Sequence, residues 1–259
     1  MPDSYESVVL KVGGSIITDK YSDSPQPDRR MMQRAAEEIT SFDDSIVLVH
    51  GSGSYGHPAA SNTGLWTGIT STQNRQDFAR IQRLQNELNC IFTSKLQEAG
   101  IPAFPAQPST AAMMVEGRLD NFYTKAICPL ISQGIVPVLF GVPAYDEKKT
   151  AAVLSGDVLA AAMAQEIDAD IVLHATDVDG VYDRTPAEDN ATKLDTIESF
   201  DSSVFSPSAR YDASGGMENK VRSLFEYEQQ GHIFSGTTEG NIRDALDGET
   251  FGSVIAPQE

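Results

Sequence analysis

Lysines beside paired glycines are the chemistry-bearing feature of this chain. Lys11 precedes Gly13-Gly14-Ser15, Lys20 follows Ile16-Ile17-Thr18-Asp19, and Lys220 closes Gly215-Gly216-Met217-Glu218-Asn219. A further glycine loop, His50-Gly51-Ser52-Gly53-Ser54-Tyr55-Gly56-His57, carries a histidine at its far end. Glycines at alternate positions let backbone N–H groups converge on an anion without Cβ obstruction, and a histidine adds a side-chain donor. The pattern suits a phosphate.

Other phosphate motifs fit less well. Gly51 to Gly56 matches the spacing of a dinucleotide fingerprint, with Asp77 further on, but His57-Pro58 follows at once and Asp77 falls in a helical pattern. That fingerprint needs its third glycine inside an opening helix and its acid at the end of the next strand. There is no G-x-x-x-x-G-K-[ST], no kinase catalytic-loop signature and no set of Cys and His at metal-ligand spacing. Phosphoryl transfer needs little covalent chemistry from a protein. It needs donor and acceptor held in line, with lysines, N–H groups and Mg²⁺ neutralising charge on the moving group.

Strands must carry these loops. Val8–Val12, Ile46–Val49, Ile101–Phe104, Ile135–Phe140 and Ile171–Ala175 are short apolar runs, and glycine or polar turns follow several of them. Asp28 is expected to cap a helix from Arg29 to about Thr40, and the apolar spacing from about Gln73 to Ala99 predicts a long helix stopped by Gly100. A further helix is expected over Asn121 to Gln133, and a hairpin about Asp146-Glu147-Lys148-Lys149 as a lid. Ser155-Gly156-Asp157 opens an apolar helix, so Asp157 is either a helix-start residue or a carboxylate that holds lysines. Lys11 is either a snorkelling strand lysine or one aimed at an anion. His174, within its strand, reads as a packed histidine. The helix from Lys220 to about Gln230 offers its N–H groups and dipole to an anion. Strands alternating with helices imply a largely parallel sheet covered on both faces.

The formal charge is −18 over 259 residues, which argues against nucleic acid and anionic membrane as partners. Such a lysine-poor, acidic surface suits either a high-salt cytoplasm, where screening tolerates like charges, or simply an acidic mesophilic enzyme. No apolar run has membrane-spanning length and the start lacks a leader pattern, so a cytoplasmic location is expected. Cys90 and Cys128 make no framework and read as buried thiols.

Taken in order, Lys11-Val12-Gly13-Gly14-Ser15, Ser155-Gly156-Asp157, Thr176-Asp177-Val178-Asp179-Gly180-Val181-Tyr182 and Gly215 to Lys220 resemble the motifs of the amino acid kinase family, over nearly the whole chain. His50 to His57 and Ile16 to Lys20 are similar to the branch of that family that phosphorylates isopentenyl phosphate. The usual pattern has phenylalanine where Tyr55 stands, and often glycine or alanine where Ser52 stands. Neither change removes a needed group.

The resemblance implies an α/β fold, a three-layer αβα sandwich with a central, mostly parallel sheet. Residues from 1 to about 165 would bind the acceptor, and those from about 166 to 259 the nucleotide. It implies ATP with Mg²⁺ as donor, isopentenyl phosphate as acceptor, isopentenyl diphosphate for isoprenoid biosynthesis as product, and a homodimer. Lys11 and Lys220 would contact the ATP phosphates, Asp157 would orient them, and Lys20 would stabilise the transferred group. His57 would bind the acceptor's phosphate, with Ser52, Gly53 and Gly156 lining that site. Gly13, Gly14, Ser15, Gly53, Asp177, Tyr182 and Gly216 would lie about the nucleotide, and no protein side chain is assigned as a metal ligand. A monophosphate acceptor is already charged, so no strong general base is needed. Two rivals share these motifs: a related kinase acting on a phosphonate antibiotic, and a nucleotide-binding regulator without catalysis.

Overall fold

The computed structural model describes residues 4–19, 21–56, 68–184, 188, 190–202 and 216–258. In chain order the elements are β1 (Ser7–Val12), α1 (Gly14–Ile17), α2 (Arg29–Ile39), β2 (Ser45–His50), α3 (Thr72–Glu98), β3 (Ala103–Pro105), β4 (Ala112–Val115), β5 (Arg118–Phe122), α4 (Cys128–Ile131) and β6 (Val136–Phe140). There follow β7 (Val142–Asp146), β8 (Thr150–Leu154), α5 (Gly156–Ile167), β9 (Ile171–Thr176), β10 (Val181–Tyr182), β11 (Lys193–Leu194), β12 (Thr196–Ile197), α6 (Gly216–Glu226), β13 (Gly231–Ser235), α7 (Asn241–Leu246) and β14 (Ser253–Ile255).

The aliphatic, β-branched runs pair into one sheet of eight strands, ordered β12-β14-β13-β9-β1-β2-β6-β3. The six strands from β13 to β3 in that order run parallel, and β14 is antiparallel to β13. Side chains alternate between the two faces of a strand, so each run feeds two cores. Val8, Leu10, Val12, Ile46, Leu48 and Leu173 join the layer containing buried residues of α2, α3 and α7. Val9, Val47, Val49, Leu139 and Val172 meet Leu159, Ala160 and Met163 of α5 and Leu224 of α6 on the other face. The result is the αβα sandwich expected from the sequence. A second sheet, β5-β4-β7-β8, includes the antiparallel β7–β8 hairpin.

Helix ends follow local chemistry. Asp28 caps α2 by accepting from Met31 N (2.9 Å), and Ser71 caps α3 by accepting from Asn74 N (3.1 Å). At the far end of α3, Gly100 N–H donates to Gln97 O and Ile101 N–H to Leu96 O, with Gly100 at φ +93°. That paired closure needs a left-handed residue, which glycine adopts without a Cβ clash.

Two expectations fail. The helix expected over Asn121–Gln133 is only Cys128–Ile131, because Asn121 and Phe122 pair with Met113 and Ala112 as an antiparallel strand. Cys90 is exposed and Cys128 only partly buried. Cys90 lies on the solvent side of α3, since Leu88 and Phe92 take the core face. Among the described residues, no helix is long and apolar enough to cross a membrane.

Candidate functional site

The parallel strands end together, and their following loops meet at one edge of the sheet. Register pairs Val12 with His50 and Ala175, and His50 with Phe140. β1 sits between β2, reached through α2 on one face, and β9, reached through α5 on the other, and ligands in open α/β sheets bind at such a point.

Backbone packs against backbone here. A Cβ on Gly14 would lie 2.3 Å from Gly53 N, and one on Gly51 would lie 2.4 Å from Gly14 N. Only glycines allow the two loops this approach. Gly51 N–H donates to Val12 O (3.0 Å), Gly13 N–H to Ala175 O (2.9 Å) and Gly141 N–H to His50 O (3.2 Å). Ser52 Oγ donates to Gly141 O (3.1 Å), tying the glycine loop after β2 to the end of β6. Gly156 lies against His50 O and Gly141 N.

Charge enters from one face. Strand alternation puts Lys11 on the same side as Val9, the side covered by α5 and α6. There Lys11 Nζ donates to Asp157 Oδ1 at 2.6 Å, and Lys220 Nζ lies 3.7 Å from Asp157 Oδ2. All three are buried. Asp157 is fixed by its place in the first turn of α5, where Ser155 is the cap and accepts from Asp157 N (3.1 Å). Asn219 Nδ2 donates to Ser155 Oγ at 2.9 Å, linking the starts of α5 and α6. Ser155 caps α5, and Asp157, in the first turn, faces both lysines.

Burial alone would raise the Asp157 pKa, but Lys11, then Lys220, outweigh it and hold the carboxyl well below its ordinary value. The acid is ionised between two ammonium groups. His174 Nδ1 lies 3.6 Å from Asp157 Oδ1, and burial lowers the His174 pKa to about 3. His50, on the opposite face, is held neutral by burial with a pKa of about 4. Its ring stacks on Phe140 and contacts Gly51 O (3.0 Å) and Asn89 Oδ1 (3.3 Å).

Other residues singled out by sequence make contacts within and between the neighbouring turns. Ser15 Oγ donates to Asp177 Oδ1 (3.1 Å), joining the turn after β1 to that after β9. Gly53, at φ +47°, opens a short 3₁₀ turn rather than the helix a dinucleotide fold requires. Gly216 opens α6, and its carbonyl accepts from Lys220 Nζ (3.4 Å). Tyr182 lies on β10, with its hydroxyl donating to Asp179 Oδ1 at 3.0 Å. Lys20 and His57 lie outside the described residues, as does Gly215. Sequence reasoning gave no separate role to Asn219 or Gly141. Asn219 stands within the glycine motif, and Gly141 follows a buried strand as Gly13 and Gly51 do.

The arrangement brings the glycine loops together at one edge of the sheet, beside two lysines that share one buried carboxylate. It can neutralise a polyphosphate. The chain matches the family model described as Amino acid kinase family over residues 6–235. It is 35% identical to the isopentenyl phosphate kinase of Methanothermobacter thermautotrophicus, covering 93% of this chain and 96% of that protein. It is 32% identical to the isopentenyl phosphate kinase of Haloferax volcanii, covering 96% and 98%. A crystal structure of an isopentenyl phosphate kinase superimposes with a TM-score of 0.86 at 33% identity, over 96% of this chain and all of the other.

Proposed function

We propose that this chain, which belongs to the amino acid kinase family, transfers the γ-phosphoryl group of ATP to isopentenyl phosphate, giving isopentenyl diphosphate and ADP. The observation that carries the reading is the buried Lys11–Asp157–Lys220 cluster at the glycine-loop edge of the sheet, in a chain alike along its length to kinases of that substrate.

The lysines do the electrostatic work. Asp157 holds Lys11 and Lys220 beneath the loops, and an ammonium carries three N–H donors, so the carboxylate and a phosphate can share one lysine. Lys20 is assigned to the transferred group and His57 to the acceptor's phosphate, with Ser52, Gly53 and Gly156 lining the acceptor side. The turns at Gly13-Gly14-Ser15 and Asp177, with Gly216 and Tyr182, are assigned to the nucleotide. Residues to about 165 are assigned as the acceptor part and the remainder as the nucleotide part, with Lys11 and Gly13-Gly14-Ser15 of the first part reaching across to the nucleotide phosphates. An acceptor phosphate brings its own nucleophilic oxygen, so the site needs alignment more than proton removal.

Mg²⁺ fits this donor set as a companion of the nucleotide. Both Asp157 oxygens already face lysines, and Mg²⁺ at such sites keeps phosphate and water oxygens as its principal ligands. When bound, it neutralises charge on the phosphate oxygens. The enzyme is further assigned to the cytoplasm, to a homodimer and, from its charge of −18, to a high-salt milieu.

The test is ³¹P NMR of purified protein with Mg-ATP and isopentenyl phosphate at low and molar salt. Diphosphate appearing together with ADP is the expected result, with the faster rate in molar salt. Folded, ATP-binding protein that forms no diphosphate at either salt would overturn the assigned acceptor. In the same assay His57→Ala is expected to lose most turnover while remaining folded, and unchanged turnover would remove its assigned role.

A further inference from the structure

We propose that His174 is a positioning residue for phosphoryl transfer: its Nδ1–H takes up Asp157 Oδ1 when ATP draws the lysines toward its phosphates. This rests on the kinase reading.

The strand around His174 is otherwise aliphatic or small, Ile171, Val172, Leu173 and Ala175, and all of it is buried. His174 is fully buried too, and among the described residues neither ring nitrogen has a hydrogen-bond partner. An orphaned polar atom in the interior is destabilising, so its natural explanation is an interaction made in another state. Position shows which one. Register sets His174 beside Lys11 on the neighbouring strand, and both side chains point to the α5 face. Nδ1 is then 3.6 Å from Asp157 Oδ1, the oxygen that accepts from Lys11 at 2.6 Å.

Lys11 and Lys220 face Asp157 from its two oxygens. Phosphates compete for the same ammonium protons, and each proton turned away leaves a buried carboxylate less satisfied. Closing Nδ1 to hydrogen-bond range requires a movement of about 1 Å. A carboxylate oxygen accepts more than one donor, so His174 can add to Lys11 before replacing part of it. Because burial keeps the ring neutral, it offers a donor without a third positive charge. Asp157 stays anchored, and the lysines are free to follow the phosphates.

Two measurements test this. The first is ¹⁵N NMR of histidine-labelled protein, alone and with Mg²⁺ and a non-hydrolysable ATP analogue. Expected is the Nδ1–H tautomer of His174, its proton moving downfield when the analogue binds; an Nε2–H tautomer, or no shift on saturation, overturns the proposal. The second is kinetic. His174→Asn, which keeps an amide donor near the Nδ1 position, should hold kcat within about threefold, whereas His174→Leu and His174→Gln lose about 10- to 100-fold, the worth of a buried hydrogen bond to a charged group. KM for isopentenyl phosphate should not change, and thermal unfolding should show the leucine variant at least as stable as the parent. Full activity in His174→Leu overturns the proposal. If the leucine variant does not fold, equal kcat in the Asn and Gln variants overturns it instead. Should the parent protein form no diphosphate, the assigned acceptor fails by itself, and the analogue-dependent tautomer shift still decides the role of His174.

Discussion

Asp146 and Asp157 are both carboxylates sealed from solvent, and they are held in opposite ways. Asp146, at the turn of the β7–β8 hairpin, accepts from the backbone N–H groups of Gly117 (2.7 Å), Lys148 (2.9 Å) and Lys149 (2.7 Å). Asp157 sits among side chains, Lys11 on one oxygen and Lys220 near the other. In both, burial acts to raise the pKa and the donors outweigh it, so both stay ionised. A backbone N–H cannot leave its carboxylate unless the turn opens, whereas an ammonium on a flexible four-carbon stem can. The first kind of acid fixes a shape. The second keeps positive charge buried, oriented and available to a ligand.

Removing a lysine should show the difference most strongly. Lys11→Met leaves Asp157 with Lys220 alone, and turnover in a coupled ADP assay is expected to fall about 10³-fold, the scale of losing a preorganised donor to developing charge. Turnover within tenfold of the parent would erase the functional distinction between the two acids.

Acid should separate these carboxylates from the buried histidines His50 and His174. The stabilisation from Asp146 and Asp157 is present above the ordinary carboxylate pKa and is lost only as pH falls through their lower folded values. His50 and His174 act earlier. The unfolded chain takes up their protons below about pH 6.5, while the folded chain resists until about pH 4 and about pH 3. The unfolded state then binds more protons, so stability falls with pH, on the order of 4 kcal/mol by pH 5. Urea unfolding at pH 7 and pH 5 measures this, and equal midpoints would mean that the histidines protonate in the folded protein.

Asp146→Ala should have the smallest effect and of another kind. Loss of its backbone contacts should cost roughly 1–3 kcal/mol, seen as a lower melting temperature, with kcat within about twofold. A large loss of kcat at unchanged melting temperature would make the hairpin turn part of the site.

Local signals carried much of this into the sequence. The alternating run Val8–Val12 already aimed Lys11 opposite to Leu10 and Val12, and Ser155 stood where a cap was needed. Asp28, Gly100 and the Asp146 turn were legible for the same reason: each effect acts within a few residues. Asn121–Gln133 misled because its ending at Gly134 is helical, but its beginning pairs with Met113 and Ala112, a contact no window around Asn121 contains. Cys90 misled because helical spacing was counted without fixing which side of α3 meets the sheet. The site showed the same division. Glycine turns could be placed after strands, but the Gly14–Gly51 contact and the Ser52–Gly141 bond join separate loops.

Sequence alone determined the kinds of parts: apolar strands that end in glycine turns, a capped helix carrying Asp157, and few lysines placed beside glycines. Short-range sterics and capping act on neighbouring residues, so these parts are written in the chain. Tertiary structure decided which parts meet. The order β9-β1-β2 brings residues 11, 157, 174 and 220 together through pairings across most of the chain's length, and the packing of α5 and α6 on one face makes a single buried carboxylate serve two lysines. Long-range strand order depends on how whole faces bury, which no local pattern states.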